Sequence, residues 1–127
     1  MAPSITPIYA ALLALIYLFL CGRISLRRRA RNILIGLGGD AELERRVRVQ
    51  GNFIEYVPFA LLLILMAELR GAPGLVLNGL GLALLLGRSL HAWGFSQGEG
   101  EDLRFRFAGM VLTFTALMGG ALAAVWG

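Results

Sequence analysis

NFIEYVPFALLLILMAEL (Asn52–Leu69) is eighteen residues of nearly continuous apolar sequence that carries Asn52 and Glu55 at its leading end. A helix needs about 20 mostly apolar residues to cross roughly 30 Å of hydrocarbon. This block approaches that length once the residues before it join the helix. Three further blocks have the same character: PSITPIYAALLALIYLFLCG (Pro3–Gly22), Leu75–Trp93 and Phe105–Trp126. Little of the 127-residue chain lies outside them, and 57% of it is hydrophobic. The mean hydropathy is +0.72. The expected fold is therefore all-α: one integral membrane domain over residues 1–127, a bundle of four transmembrane helices.

The connections fit this arrangement. After the first span comes Arg23–Gln50, which holds eight of the twelve Arg; the chain has no Lys. Gly36, Gly38 and Gly39 break this stretch, and Asp40 is placed to cap a helix beginning near Ala41. Arg70–Gly74 and Gly94–Asp102 read as turns. Pro58 removes one backbone hydrogen bond from the second span and is expected to bend it. The first span has no basic residue before it and Arg after it, so it reads as a retained span rather than a cleaved leader. The Arg-rich loops belong in the cytoplasm, which places both termini outside. The net charge of +4 does not indicate nucleic-acid binding, because the Arg are divided among short segments between apolar blocks. A single Cys, Cys21, excludes an intrachain disulfide and reads as a packed thiol.

Ionisable groups inside a membrane are costly, about 2.5–3.5 kcal/mol at a helix centre on insertion scales. Those present here need partners or a wet cavity. Arg48, Asn52 and Glu55 lie at i, i+4 and i+7 on one helix face, with Gln50 close by. Arg88 and His91 repeat the pattern in the third span, and Glu55 is the expected partner of Arg88. Arg104 and Arg106 open the fourth span two residues apart, so one can face a site while the other faces lipid. Arg27, Arg28, Arg29 and Arg31 follow the first span, where contact with anionic lipid is the simplest role. A single His without a cluster of Cys or carboxylates gives no metal site. Gly79, Gly81, Gly87, Gly109, Gly119 and Gly120 suit close packing of helices within or between chains. Arg prefers carboxylates for their geometry, and Asn and Glu offer acceptors to an ammonium. A small ligand with carboxylates and an ammonium fits this set, and glutathione has that profile.

The segment RVQGNFIEYVP (Arg48–Pro58) resembles the MAPEG family, the membrane-associated proteins of eicosanoid and glutathione metabolism. The family pattern Arg-x-(His/Gln)-x-Asn-x-x-Glu, followed by an aromatic or apolar pair and Pro, is filled by Arg48, Gln50, Asn52, Glu55, Tyr56 and Pro58. GRSLHAWGF (Gly87–Phe95) is similar to the prostaglandin E synthase branch, and the Gln and Glu-Tyr-x-Pro spacing is similar to the cysteinyl-leukotriene synthase branch. The resemblance covers nearly the whole chain and implies a homotrimer with glutathione bound between protomers. It implies that Arg48, Gln50, Asn52, Glu55, Tyr56 and His91 hold the peptide, with Arg27 or Arg28 near it. Arg104 matches the arginine that faces the thiol. Phe95 replaces a common Tyr, and Phe105 stands where the prostaglandin branch has Ser, so prostaglandin synthesis is not the expected activity. The implied chemistry is membrane-bound glutathione transfer to a lipophilic electrophile, or reduction of a lipid hydroperoxide; the compact chain, its Arg bias and the lack of a retention signal point to a bacterial inner membrane. A lipid-binding scaffold of the same fold and a small multidrug transporter are the rival readings.

Overall fold

The structure, a computed structural model, describes residues 2–126, and Glu99 by its backbone alone. It contains four long helices: α1 (Thr6–Arg31), α2 (Ala41–Leu69), α3 (Gly74–Ser96) and α4 (Leu103–Trp126). A single 3-10 turn, Gly98–Gly100, lies between α3 and α4. Each long helix has the length and hydropathy to cross a membrane. Four crossings place the two chain ends on the same side.

The buried positions form one stripe per helix. In α1 these are Thr6, Tyr9, Leu13 and Leu20; in α2 they include Val49, Phe53, Val57, Ala60, Ile64 and Ala67. Three- and four-residue steps keep each stripe on one face. The opposite faces expose large apolar side chains, among them Leu15, Phe19, Phe59, Leu62, Phe114 and Val125. In water such surfaces would drive aggregation; in lipid they face their natural solvent.

α1 runs nine residues beyond the apolar block, to Arg31, because Arg is a good helix former and nothing interrupts the run. It ends at Asn32 in the left-handed conformation, φ 55°. Gly36, Gly38 and Gly39 then turn the chain with positive φ. Asp40 caps α2 as expected, accepting from the Leu43 amide at 3.0 Å. Pro58 lies inside α2 on an exposed face, and the helix continues past it to Leu69.

The closest helix approach is α3 against α4. A Cβ on Gly87 would lie 2.8 Å from the Gly109 carbonyl oxygen, and one on Gly109 would lie 2.5 Å from that of Gly87. Backbones meet there directly, which side chains would prevent. Gly81 receives the Tyr9 ring, Gly119 abuts Leu80, and Gly120 abuts Leu63 and Ile64. Those glycines serve packing within the chain, whereas Gly79 faces open space. At the other end of α1, the Glu68 carboxylate accepts from the amides of Ser4, Ile5 and Thr6, each at 2.8 Å. A helix N-terminus leaves its first amides without internal partners, and an anion satisfies them well.

Candidate functional site

At the basic end of the bundle, the start of α2, the end of α3 and the start of α4 surround a recess of about 460 Å³. Arg48, Asn52, His91, Phe95, Arg106 and Met110 line it. A second hollow of about 410 Å³ shares Arg48 and Asn52 and continues along α2 to Gly51 and Glu55. The two form a polar groove of guanidinium, amide and imidazole groups, with a carboxylate at its far end. The larger groove of about 540 Å³ between α1 and α3 is different in kind. Leu15, Ile16, Phe19 and Trp93 line it, with Arg23 and two serines as its polar groups.

Arg88 lies behind the recess, 1% exposed, because its position continues the buried stripe of α3. Glu55, its expected partner, is exposed and makes no ion pair with it. Arg88 instead donates to Asn52 Oδ1 at 2.6 Å, one turn earlier on α2, and to Thr113 Oγ1 at 3.3 Å. It also lies 3.4 Å from His91 Nδ1 and faces the Phe53 ring. Its Nε is buried without a partner.

The two arginines of α4 separate as their spacing predicts. Arg104 points outward, its side chain 90% exposed, and binds Asp102 at 2.7 Å. Arg106 enters the recess and stacks on Phe95, with its guanidinium carbon 3.8 Å from the ring centroid. Glu101 holds it there: one carboxylate oxygen accepts from Arg106 and Arg45, both at 2.8 Å. Burial pushes the Glu101 carboxyl up, but the hydrogen bonds from Arg45 and Arg106 outweigh it and keep it below its usual 4.5. Arg45 also donates to the Phe95 carbonyl at 3.0 Å. The sequence reading missed Arg45 and Glu101, which lie in polar segments where charges are ordinary.

Of the remaining expected ligands, Gln50, Arg27 and Arg28 do not share this face, whereas Tyr56 lies one turn beyond Asn52 on it. Gln50 turns toward α1, donating to Tyr17 at 3.3 Å and lying 3.8 Å from the Cys21 sulfur. Two residues after Arg48, it is on the far side of the helix. Tyr56 is half-buried against Phe114. Arg27 donates to both oxygens of Asp40, at 3.1–3.3 Å, and so braces the cap of α2. The Leu43 amide is the main reason the Asp40 carboxyl sits below its usual range, and Arg27 adds to it. Arg28 donates to the Gly36 carbonyl at 2.7 Å. The chain thus collects Arg48, Asn52, His91 and Arg106, with Glu55 adjoining. It leaves Gln50, Arg27, Arg28 and Arg104 on other faces.

The sequence matches the MAPEG family over residues 6–126. It is 34% identical over 122 residues to the inner membrane protein YecN of Escherichia coli (strain K12), covering 96% of this chain and 91% of that one. The YecN of E. coli O6:H1 matches to the same extent. Four membrane-spanning helices and these relatives identify a multi-pass protein of the bacterial inner membrane, and the chain belongs to the MAPEG family.

Proposed function

We propose that the protein is a membrane-bound glutathione transferase that attacks lipophilic electrophiles. The observation that carries this reading is the convergence of Arg48, Asn52, His91 and Arg106 on one recess, with Glu55 in the adjoining hollow. Guanidinium and amide donors suit carboxylates, and Glu55 suits an ammonium. Glutathione supplies two of the first and one of the second, so the donor set fits it. The recess is bordered by the apolar side chains of Leu103, Phe107 and Met110, from which an apolar co-substrate would reach it.

Only the thiolate is a good nucleophile, and a free thiol has a pKa near about 8.5. A neighbouring guanidinium favours the anion. The sequence reading gives this role to Arg104. The orientation of the α4 side chains favours Arg106, which is inside the recess and fixed by Glu101 and Phe95, whereas Arg104 is turned outward onto Asp102.

Gln50, Arg27 and Arg28 reach a shared ligand only across a boundary between protomers. Arg48 and Glu55 expose charge at or near membrane depth, which contact with a second copy would cover. Both points support a homotrimer with a site between neighbours, in a membrane whose cytoplasmic side carries the Arg-rich ends and whose outer side carries both termini.

The test is conjugation of 1-chloro-2,4-dinitrobenzene with glutathione by the purified protein in detergent. The native protein is expected to turn over. Arg106→Ala should lose most of that turnover while still binding glutathione, and Arg104→Ala should keep it. Glu55→Gln should raise the glutathione Kd. If calorimetry finds no glutathione binding to the native protein, the reading is wrong. If Arg104→Ala alone abolishes turnover, the thiol role returns to Arg104.

A further inference from the structure

Arg88 belongs to neither hollow, and no role assigned so far requires a buried guanidinium in the membrane interior. Its side chain is 1% exposed, and no carboxylate among the described residues pairs with it. A leucine there would avoid the cost of a buried charge. What Arg88 touches suggests why the charge is present. One terminal nitrogen, Nη2, lies 2.6 Å from Asn52 Oδ1 and 3.4 Å from His91 Nδ1. Asn52 and His91 are the two neutral polar side chains of the recess.

A guanidinium only donates hydrogen bonds; it has no acceptor. Each group facing it must therefore accept. For Asn52, the carbonyl oxygen faces Arg88 and the NH2 is directed away. For His91, Nδ1 faces Arg88 with a bare lone pair, so a neutral ring carries its proton on Nε2. Neither Asn52 Nδ2 nor His91 Nε2 has another partner among the described residues. Both side chains line the recess.

We infer that Arg88 is a positioning residue that sets the hydrogen-bond polarity of the recess, fixing Asn52 and His91 as N–H donors toward the ligand. With Arg48, and with Arg106 kept for the thiol, the recess then offers three donor groups to the rest of the ligand and no strong acceptor. It reads a carboxylate, and the ammonium is left to Glu55. This revises the expectation that Asn52 offers its oxygen to an ammonium: Arg88 has already taken that oxygen. That the carboxylate is one of glutathione's rests on the proposed function; the orientation of Asn52 and His91 does not.

His91 is the only histidine in the chain, so its ring can be read without assignment. We would record nitrogen NMR of histidine-labelled native protein in detergent, without ligand. The expected spectrum shows one neutral tautomer, with Nε2 protonated and Nδ1 bare. A protonated Nδ1, or averaging between tautomers, overturns the inference whatever glutathione does. Arg88→Met removes the donors at similar length and is expected to release His91 into a tautomer mixture. Should that variant fail to fold, the native spectrum still decides. Asn52→Asp provides a second measurement. It keeps an oxygen toward Arg88 and strips the N–H groups from the recess. The Nε2-protonated form should persist, while calorimetric affinity for glutathione falls at least tenfold. Unchanged affinity removes Asn52 as a donor. Absence of binding to the native protein defeats the glutathione reading and leaves the tautomer result to judge Arg88.

Discussion

At Glu101 one carboxylate oxygen accepts from Arg45 and Arg106, and this shared contact sets where the recess arginine stands. Replacing Glu101 with Gln removes the charge that holds both. Arg106 should then swing from Phe95, and turnover should fall several-fold in the conjugation assay with little change in glutathione Kd. The pH dependence has a definite sign. The folded Glu101 carboxyl titrates below its usual 4.5, so its contribution to stability is complete above that pH. It is lost as pH falls through the lower folded value, and thermal melts in detergent should show Tm dropping in acid more for the native protein than for Glu101→Gln. Glu68 makes an equally specific contact at the opposite membrane face, where it receives three amides of the α1 start. Hydrogen bonds to a charged acceptor contribute about 1.5–3 kcal/mol. Glu68→Gln keeps one acceptor oxygen and should cost roughly 1.5 kcal/mol, read as a lower unfolding midpoint.

Two element-level features invite comparison. Gly109 meets the α3 backbone, whereas Gly79 faces nothing within 4 Å. Gly109→Ala forces the helices apart and should destabilise by about 1–3 kcal/mol, as overpacking does. Gly79→Ala should leave the unfolding midpoint unchanged or higher, since Ala favours the helix. Denaturation in mixed micelles compares the two. The helices themselves were readable in the sequence because hydropathy blocks and capping residues act locally, as at Asp40. The polar run after Gly22 was harder. Its Arg residues read as a loop, yet Arg propagates a helix, and α1 stops only at Asn32. Partner choice was harder still. Helix periodicity groups Arg48 with Asn52 and Arg88 with His91, but the partner of Arg88 depends on how α2, α3 and α4 pack, which supplies Asn52 and Thr113 rather than Glu55. Their two-residue spacing makes Arg104 and Arg106 diverge; which one faces inward depends on how α4 is rotated, and its glycine contact with α3 fixes that rotation.

For the whole molecule, the apolar sheath and the charges of Arg48 and Glu55 make opposite demands on one surface. The proposed association would resolve the conflict. Native mass spectrometry from detergent should give a trimer, and Gly51→Cys in a Cys21→Ser background should form disulfide-linked chains if the α2 face meets another copy. A monomer under both conditions would leave the groove lipid-facing and the between-protomer site without support. The direct backbone crossing at Gly87 and Gly109 bears on how such a machine can move. Side chains between helices act as rollers, and two backbones in contact have none. α3 and α4 therefore behave as one rigid strut that carries His91, Phe95 and Arg106 together. The spacing between His91 and Arg106 is fixed in the strut, so breathing of the protein cannot change it. Any widening of the recess therefore falls to α2, its third wall, which meets α3 and α4 less closely than they meet each other.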